Sequence, residues 1–236
     1  MRAKLCNGFT LVELLVVMGI ITLLIGLLMP AMSSAREQSK SVQCLSNLRQ
    51  MGILTHAYIV ANGGHYPLAT YNADNWDFSF VSGKVVPGLL WGGRGDAKIQ
   101  QCPSWDGKSS PGTLFTGYNY NTSYLGGELQ GTKFRPSAKA SQVRQPSRTA
   151  IFGDGEYAAG TNRYMRAPFF TAADSNVARW AGTQGFRHRR RTNVCFCDGH
   201  AESLIERFTQ KDPKDSGVVA PRTGFLSADN SLYDLE

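Results

Sequence analysis

Polarity changes character several times along the chain. From Phe9 to Met29 the residues are almost uniformly apolar: fourteen of the 21 are Leu, Ile, Val or Phe, and Glu13 carries the one charge. At 1.5 Å per residue such a helix covers roughly 30 Å, one bilayer core. Those side chains favour insertion by roughly 4–8 kcal/mol, against a cost of about 3 kcal/mol for one central acid. The segment therefore enters a membrane with its carboxylate, and an acid kept there marks a functional position that needs a partner. Pro30 then predicts a kink, because it lacks an N–H and crowds the preceding turn. Beyond it the pattern becomes amphipathic. Val42, Leu45, Leu48, Met51, Leu54 and Tyr58 recur every three or four residues, with Arg36, Lys40, Gln43 and Asn47 on the other side. Asn62-Gly63-Gly64 supplies left-handed capping residues, and Pro67 forbids continuation.

Residues 65–147 scatter aromatics among Gly, Asn and Ser with little periodicity, which reads as loops closed over buried Tyr and Trp. The run from Trp91 to Gly95 has no strand-to-helix context for a phosphate loop. Order returns at Arg148–Asp154, a strand entering a turn. Thr192–Cys197 alternates, Asp198-Gly199 is a strong hairpin turn, and His200–Leu204 runs back. Val194 and Phe196 share one face of this hairpin; Cys195 and Cys197 take the other. The predicted fold is α+β: a long N-terminal spine helix, its first half transmembrane, carrying a small loop-rich antiparallel β-sheet head. Its parts are a basic leader (1–8), a transmembrane half-helix (9–29), an amphipathic half-helix (30–62), the head (63–211) and an acidic tail (212–236) that is a candidate for disorder.

Composition changes this picture little. The chain has 236 residues, 42% of them hydrophobic, enough beyond the helix for one modest core. Formal charge is +7, falling to +5 once Arg2 and Lys4 leave with a cleaved leader, which is short of a nucleic-acid signature. Arg2 and Lys4 also hold the N-terminus in the cytoplasm. A cut after Gly8 would bare an α-amine on Phe9, four residues before Glu13. The helix dipole opposes that ammonium, and pairing it with Glu13, within one chain or between neighbours, relieves both charges. Cys6 leaves with the leader. Of the four remaining cysteines, Cys44 and Cys102 are the candidate disulfide, with four free thiols as the alternative. Cys195 and Cys197 lie too far apart on a strand to bridge comfortably.

Gly8-Phe9-Thr10-Leu11-Val12-Glu13-Leu14 resembles the class III signal of type IV prepilins and type II secretion pseudopilins. The resemblance implies a prepilin peptidase that cleaves after Gly8 and N-methylates Phe9, assembly supported by Glu13, and a helix bend at Pro30. It also implies further pilin or pseudopilin subunits and an inner-membrane assembly platform as partners. The chain would be single-pass in the inner membrane, its head periplasmic or extracellular. A plain secretory signal and an ordinary signal anchor are the alternatives; the apolar run is too long for the first. His188, nine residues, then Asp198-Gly199 is similar to the processing-associated C-terminal motif of a planctomycete-type group of prepilin-like proteins. The tract from Cys44 to Pro67, Cys102-Pro103-Ser104 and Arg148–Glu156 are similar to the same group. The chain departs from it at Arg189-Arg190-Arg191, where small or glycine residues are more usual.

Candidate chemistry beyond assembly is sparse. Cys195, Cys197 and His200 carry zinc-like donors without a fourth ligand at ordinary spacing. His188 and Asp198 lack a nucleophile motif for hydrolysis. No cofactor is expected by default; some major pseudopilins bind calcium in a C-terminal loop, for which Asp154, Glu156 and Asp198 are the candidate oxygen donors, although their spacing does not match an ordered calcium loop. Arg187, Arg189, Arg190 and Arg191 form a basic knot for an anion or partner, and the tail, net −3, is its expected counterpart. The function expected is a structural pilin-like subunit rather than an enzyme. A membrane-tethered periplasmic enzyme or binding protein, and a DNA-binding minor pilin, are the rivals.

Overall fold

The computed structural model describes residues 10–72, 74–82, 84–92, 101–105, 117–130, 133–157, 160, 162–170, 182–213 and 219–236. Among the described residues one α-helix, α1 (Leu11–Ala61), is followed by thirteen short strands: β1 (Thr70–Tyr71), β2 (Asp74–Asn75), β3 (Phe78–Val81), β4 (Lys84–Pro87), β5 (Tyr118–Asn121), β6 (Glu128–Gln130), β7 (Lys133–Arg135), β8 (Ala150–Asp154), β9 (Tyr164–Met165), β10 (Gln184–Gly185), β11 (Thr192–Phe196), β12 (Ala201–Leu204) and β13 (Thr223–Gly224). The arrangement is α+β, one long N-terminal helix with mainly antiparallel sheets, as a pilin-like fold requires. The chain divides into two compact units, Met1–Ser39 and Lys40–Glu236.

In the first unit the helix leaves its large apolar side chains uncovered from Leu11 to Met32. It is long and apolar enough to cross a membrane. Two of its hydroxyls turn inward on the backbone: Thr22 donates to the Met18 carbonyl and Ser33 to the Pro30 carbonyl, which spares them an apolar solvent. The helix runs on through Pro30.

In the second unit the helical residues that bury are Cys44, Asn47, Leu48, Met51, Gly52, Thr55 and Ile59. This face is rotated from the one the apolar periodicity marks: Val42 stays 62% exposed, while Asn47, placed by its polarity on the outer side, is buried. Asn47 tolerates burial because its amide donates to the Tyr118 hydroxyl and the Gln101 carbonyl. The helix ends where the capping residues stand. Gly63 and Gly64 take positive φ, and the Gly64 amide donates back to the Ile59 carbonyl.

The head is built on a five-stranded sheet, order β12-β11-β8-β5-β9, antiparallel except for β5 with β9. Its first hairpin is the one the sequence predicts, with Thr192 opposite Leu204 and Cys195 opposite Ala201. Alternation splits β11 as expected. Cys195 and Cys197 join the cluster of Cys44, Leu48, Met51 and Ile59, whereas Val194 and Phe196 join Ala150, Phe225, Leu226 and Tyr233. Residues 65–147, expected as loops, instead contribute a six-stranded sheet, order β4-β3-β2-β1-β6-β7. Strands of two to four residues are too short to show a period in sequence. Trp76, Tyr120 and Phe152 join the two sheets, their ring centroids 5.3–5.6 Å apart. The tail also departs from expectation. From Val219 to Glu236 it packs on the head, with Tyr233 fully buried and its hydroxyl accepting from the Leu226 amide. Phe225, Leu226 and Tyr233 are its buried apolar anchors, while Asp229 and Glu236 stay exposed.

Candidate functional site

At the membrane end, Thr10 and Glu13 bond reciprocally across the first turn of α1. The Thr10 amide and hydroxyl both donate to Glu13 Oε2, at 2.9 and 2.7 Å, and the Glu13 amide donates back to the Thr10 hydroxyl at 3.2 Å. This is a capping box, which satisfies helix-end amides that lipid could not. The sequence reading gives Glu13 an assembly role and omits Thr10, although the Thr-x-x-Glu spacing carries that signal. Gly8 and Phe9 lie outside the described residues.

The C-terminal motif separates into two jobs. Asp198-Gly199 makes the β11–β12 turn: Gly199 sits at φ 89°, and the Asp198 carboxylate accepts from the His200 amide at 3.1 Å. His200 Nδ1 lies 2.6 Å from the same oxygen, and its ring stacks on Phe196 at 4.5 Å. His188 is buried and meets Asp154, with Nε2 3.3 Å from Oδ2.

Around that contact four donor residues converge. Cys44 Sγ donates to Asp154 Oδ1 at 3.2 Å, and Cys102 Sγ stands 3.5 Å from His188 Nε2. One donor atom from each of Cys44, Cys102, Asp154 and His188 lies within 4.8 Å of all the others, and all four residues are buried. Each comes from a separate element: α1, the Cys102 loop, the end of β8 and the turn before β11. The two cysteines paired in the sequence reading are thus brought together, and both are free thiols here.

Arg187 closes the cluster. Its side chain is buried, leaving only Arg189, Arg190 and Arg191 exposed from the predicted basic knot. Nε donates to Cys102 Sγ at 3.4 Å and one terminal nitrogen to Asp154 Oδ1 at 3.1 Å, with Glu156 and the Gly117 carbonyl as further acceptors. Burial opposes charge at Asp154, yet Arg187 and His188 hold its carboxyl below the usual range. Burial likewise disfavours a thiolate at Cys102, but the Cys44 hydrogen bond, Arg187 and His188 bring it below the ordinary thiol value. Burial drives the Cys44 thiol, which donates to Asp154, well above its ordinary value.

The calcium candidates have these partners: Glu156 pairs with Arg187 and Arg222, Asp154 with Arg187, and Asp198 bonds within the hairpin turn. His200 stacks on Phe196, whose cluster is not that of Cys195 and Cys197, which separates those zinc-like donors. In the tail, Arg222 pairs with Glu156.

A model of the prokaryotic N-terminal methylation motif matches residues 3–29. This supports a type IV pilin-like chain with a single N-terminal membrane helix. No curated protein and no solved structure matches it.

Proposed function

We propose that this chain is a prepilin-like structural subunit, processed after Gly8, N-methylated on Phe9, and assembled into a type IV pilus or type II secretion pseudopilus. The observation that carries the reading is the methylation motif over residues 3–29 on an uncovered apolar helix. Glu13 is the one acid in that apolar stretch, and its carboxylate already reaches the helix N-terminus. An acid in lipid without a partner is costly, so each subunit gains by presenting Glu13 to an N-terminal ammonium, its own or a neighbour's. Such pairing sets a stagger between adjacent helices.

The head then plays a positional part rather than a catalytic one, and the peptidase, sister subunits and the inner-membrane platform are the partners. Arg2 and Lys4 favour a cytoplasmic N-terminus and a periplasmic head. The His188 to Asp198-Gly199 spacing supports membership of the planctomycete-type group. Intact-mass spectrometry of the chain purified from its native membrane tests the central step. The expected mass lacks residues 1–8 and carries one added methyl group; recovery of chains that keep Met1, in cells with active prepilin processing, overturns the proposal.

A further inference from the structure

The buried quartet in the head has no part in membrane insertion or in assembly through Glu13, and its geometry is that of a metal centre. With zinc–sulfur distances near 2.3 Å and zinc–nitrogen or –oxygen distances near 2.0–2.1 Å, the edges of a tetrahedral site run from about 3.3 to 3.8 Å. Three of the observed separations are 3.2 Å (Cys44 Sγ to Asp154 Oδ1), 3.3 Å (His188 Nε2 to Asp154 Oδ2) and 3.5 Å (Cys102 Sγ to His188 Nε2). Three contacts, two of them made through different oxygens of Asp154, thus fall close to such edges, and all four donor atoms lie within 4.8 Å of one another.

We propose that Cys44, Cys102, Asp154 and His188 form a closed, four-coordinate structural site for Zn²⁺ in the head.

Donor chemistry selects the ion. Two thiolates with an imidazole and a single carboxylate suit a borderline-soft divalent metal and are wrong for calcium or magnesium, which take oxygen shells. Charge balance agrees. Two thiolates, one carboxylate and Zn²⁺ leave one negative charge, and the buried Arg187 guanidinium, bonded to both Cys102 and Asp154, cancels it. The carboxylate has an outer partner: the Asn193 backbone amide donates to Asp154 Oδ2 at 2.7 Å. All four positions are filled by protein, which leaves none open for a reacting water, so the site is structural and not catalytic. Binding takes the sulfurs as thiolates and the imidazole neutral, with their protons released to solvent.

A disulfide between Cys44 and Cys102 is the competing fate in an oxidising compartment. It would use two of the four groups and leave Asp154 and His188 buried beside it. Full-length protein in detergent distinguishes the two. The expected results are about one zinc per chain retained through gel filtration, and an X-ray absorption shell of about two sulfurs and two nitrogen or oxygen atoms. Cobalt exchanged into the site should show thiolate-to-metal charge-transfer absorption. Cys44→Ser should abolish stoichiometric zinc, whereas Cys197→Ser, in the same core but outside the quartet, should keep it. The absorption spectra need no variant, so a misfolded Cys44→Ser chain does not spare the proposal. A Cys44–Cys102 disulfide in the non-reduced peptide map, zinc well below one per chain, or zinc that follows Cys197 overturns it. None of these readouts depends on cleavage after Gly8.

Discussion

Cys44 and Asp154 lie 110 positions apart in sequence, and the thiol of one donates to the carboxylate of the other at 3.2 Å inside the head. Through this bond α1 is fastened to the end of the central strand β8, at the point where Arg187 and Asn193 also converge on Asp154. Substituting either member leaves buried polar groups behind, which costs more than the bond itself contributes.

The approach of α1 to the hairpin depends on Gly52. A Cβ at this position would stand 2.9 Å from Cys195 Sγ and 3.4 Å from Gly199 Cα. Gly52→Ala gains about 1 kcal/mol of helix propensity and meets an overpacking cost of about 1–3 kcal/mol, so a net loss near 1 kcal/mol is expected. In thermal unfolding, the Gly52→Ala, Cys195→Ala pair should be more stable than the sum of the single changes. Strict additivity would show that the sulfur does not limit the approach.

Arg163 and Asp77 form a buried ion pair, with the guanidinium also 4.0 Å above the Phe78 ring. Asp77→Asn should cost about 3–5 kcal/mol by stranding a buried cation, and replacing both partners with apolar residues should recover much of that. Burial outweighs Arg163 and leaves the Asp77 carboxyl above its ordinary value. The sign follows: its contribution is fully present below the unfolded value of about 3.9 and is lost as pH rises through the raised folded value. Denaturant titrations carried upward in pH from below about 3.9 should show this decline in the native chain and not in the Asn variant.

At the hairpin the sign is opposite. Partial burial pushes the Asp198 carboxyl up, but the bonds from the His200 side chain and amide prevail and hold it below the ordinary value. Its stabilisation is present above about 3.9 and lost as pH falls through the lowered folded value. Asp198→Asn keeps an Asn-Gly turn, so the fold should persist at neutral pH while the acid limb of the stability curve flattens. An unchanged acid limb would show that the turn carboxylate carries no linkage.

Arg189 and Arg190 occupy left-handed backbone, at φ 54° and 66°. Such conformations cost a non-glycine residue about 1–2 kcal/mol, which accounts for small residues at the corresponding place in the group the motif resembles. Arg190→Gly should raise stability by about 0.5–1 kcal/mol after the added chain entropy of glycine is deducted. Differential scanning calorimetry in detergent reads this directly, and a lower melting temperature would mean that Arg190 makes contacts outweighing its backbone strain.

Capping and assembly can be separated at Glu13. Glu13→Gln retains an acceptor for the Thr10 amide and loses the charge, so the protein should insert normally and enter filaments poorly. Thr10→Ala weakens the cap by about 0.5–2 kcal/mol and keeps the charge, so incorporation should largely survive. Sheared-filament yields compared with membrane levels distinguish these outcomes. Equal incorporation of native and Glu13→Gln chains would remove the charge from the assembly mechanism.

Much of the α+β architecture was legible in the chain itself. Uniform apolarity from Phe9 to Met29, the glycines after Ala61 and the Asp198-Gly199 turn act over a few residues, and their consequences follow from helix rise, φ preference and strand alternation. Tertiary structure alone decided which helix face is covered, because Asn47 is buried only where Tyr118 can meet its amide. It likewise drew Arg187 out of a surface cluster, folded an acidic tail around Tyr233, and gathered Cys44, Cys102, Asp154 and His188 from four segments. No local period or short ligand spacing encodes such meetings. They arise when separate elements share one buried volume, and there the exclusion of water makes every polar group seek a partner.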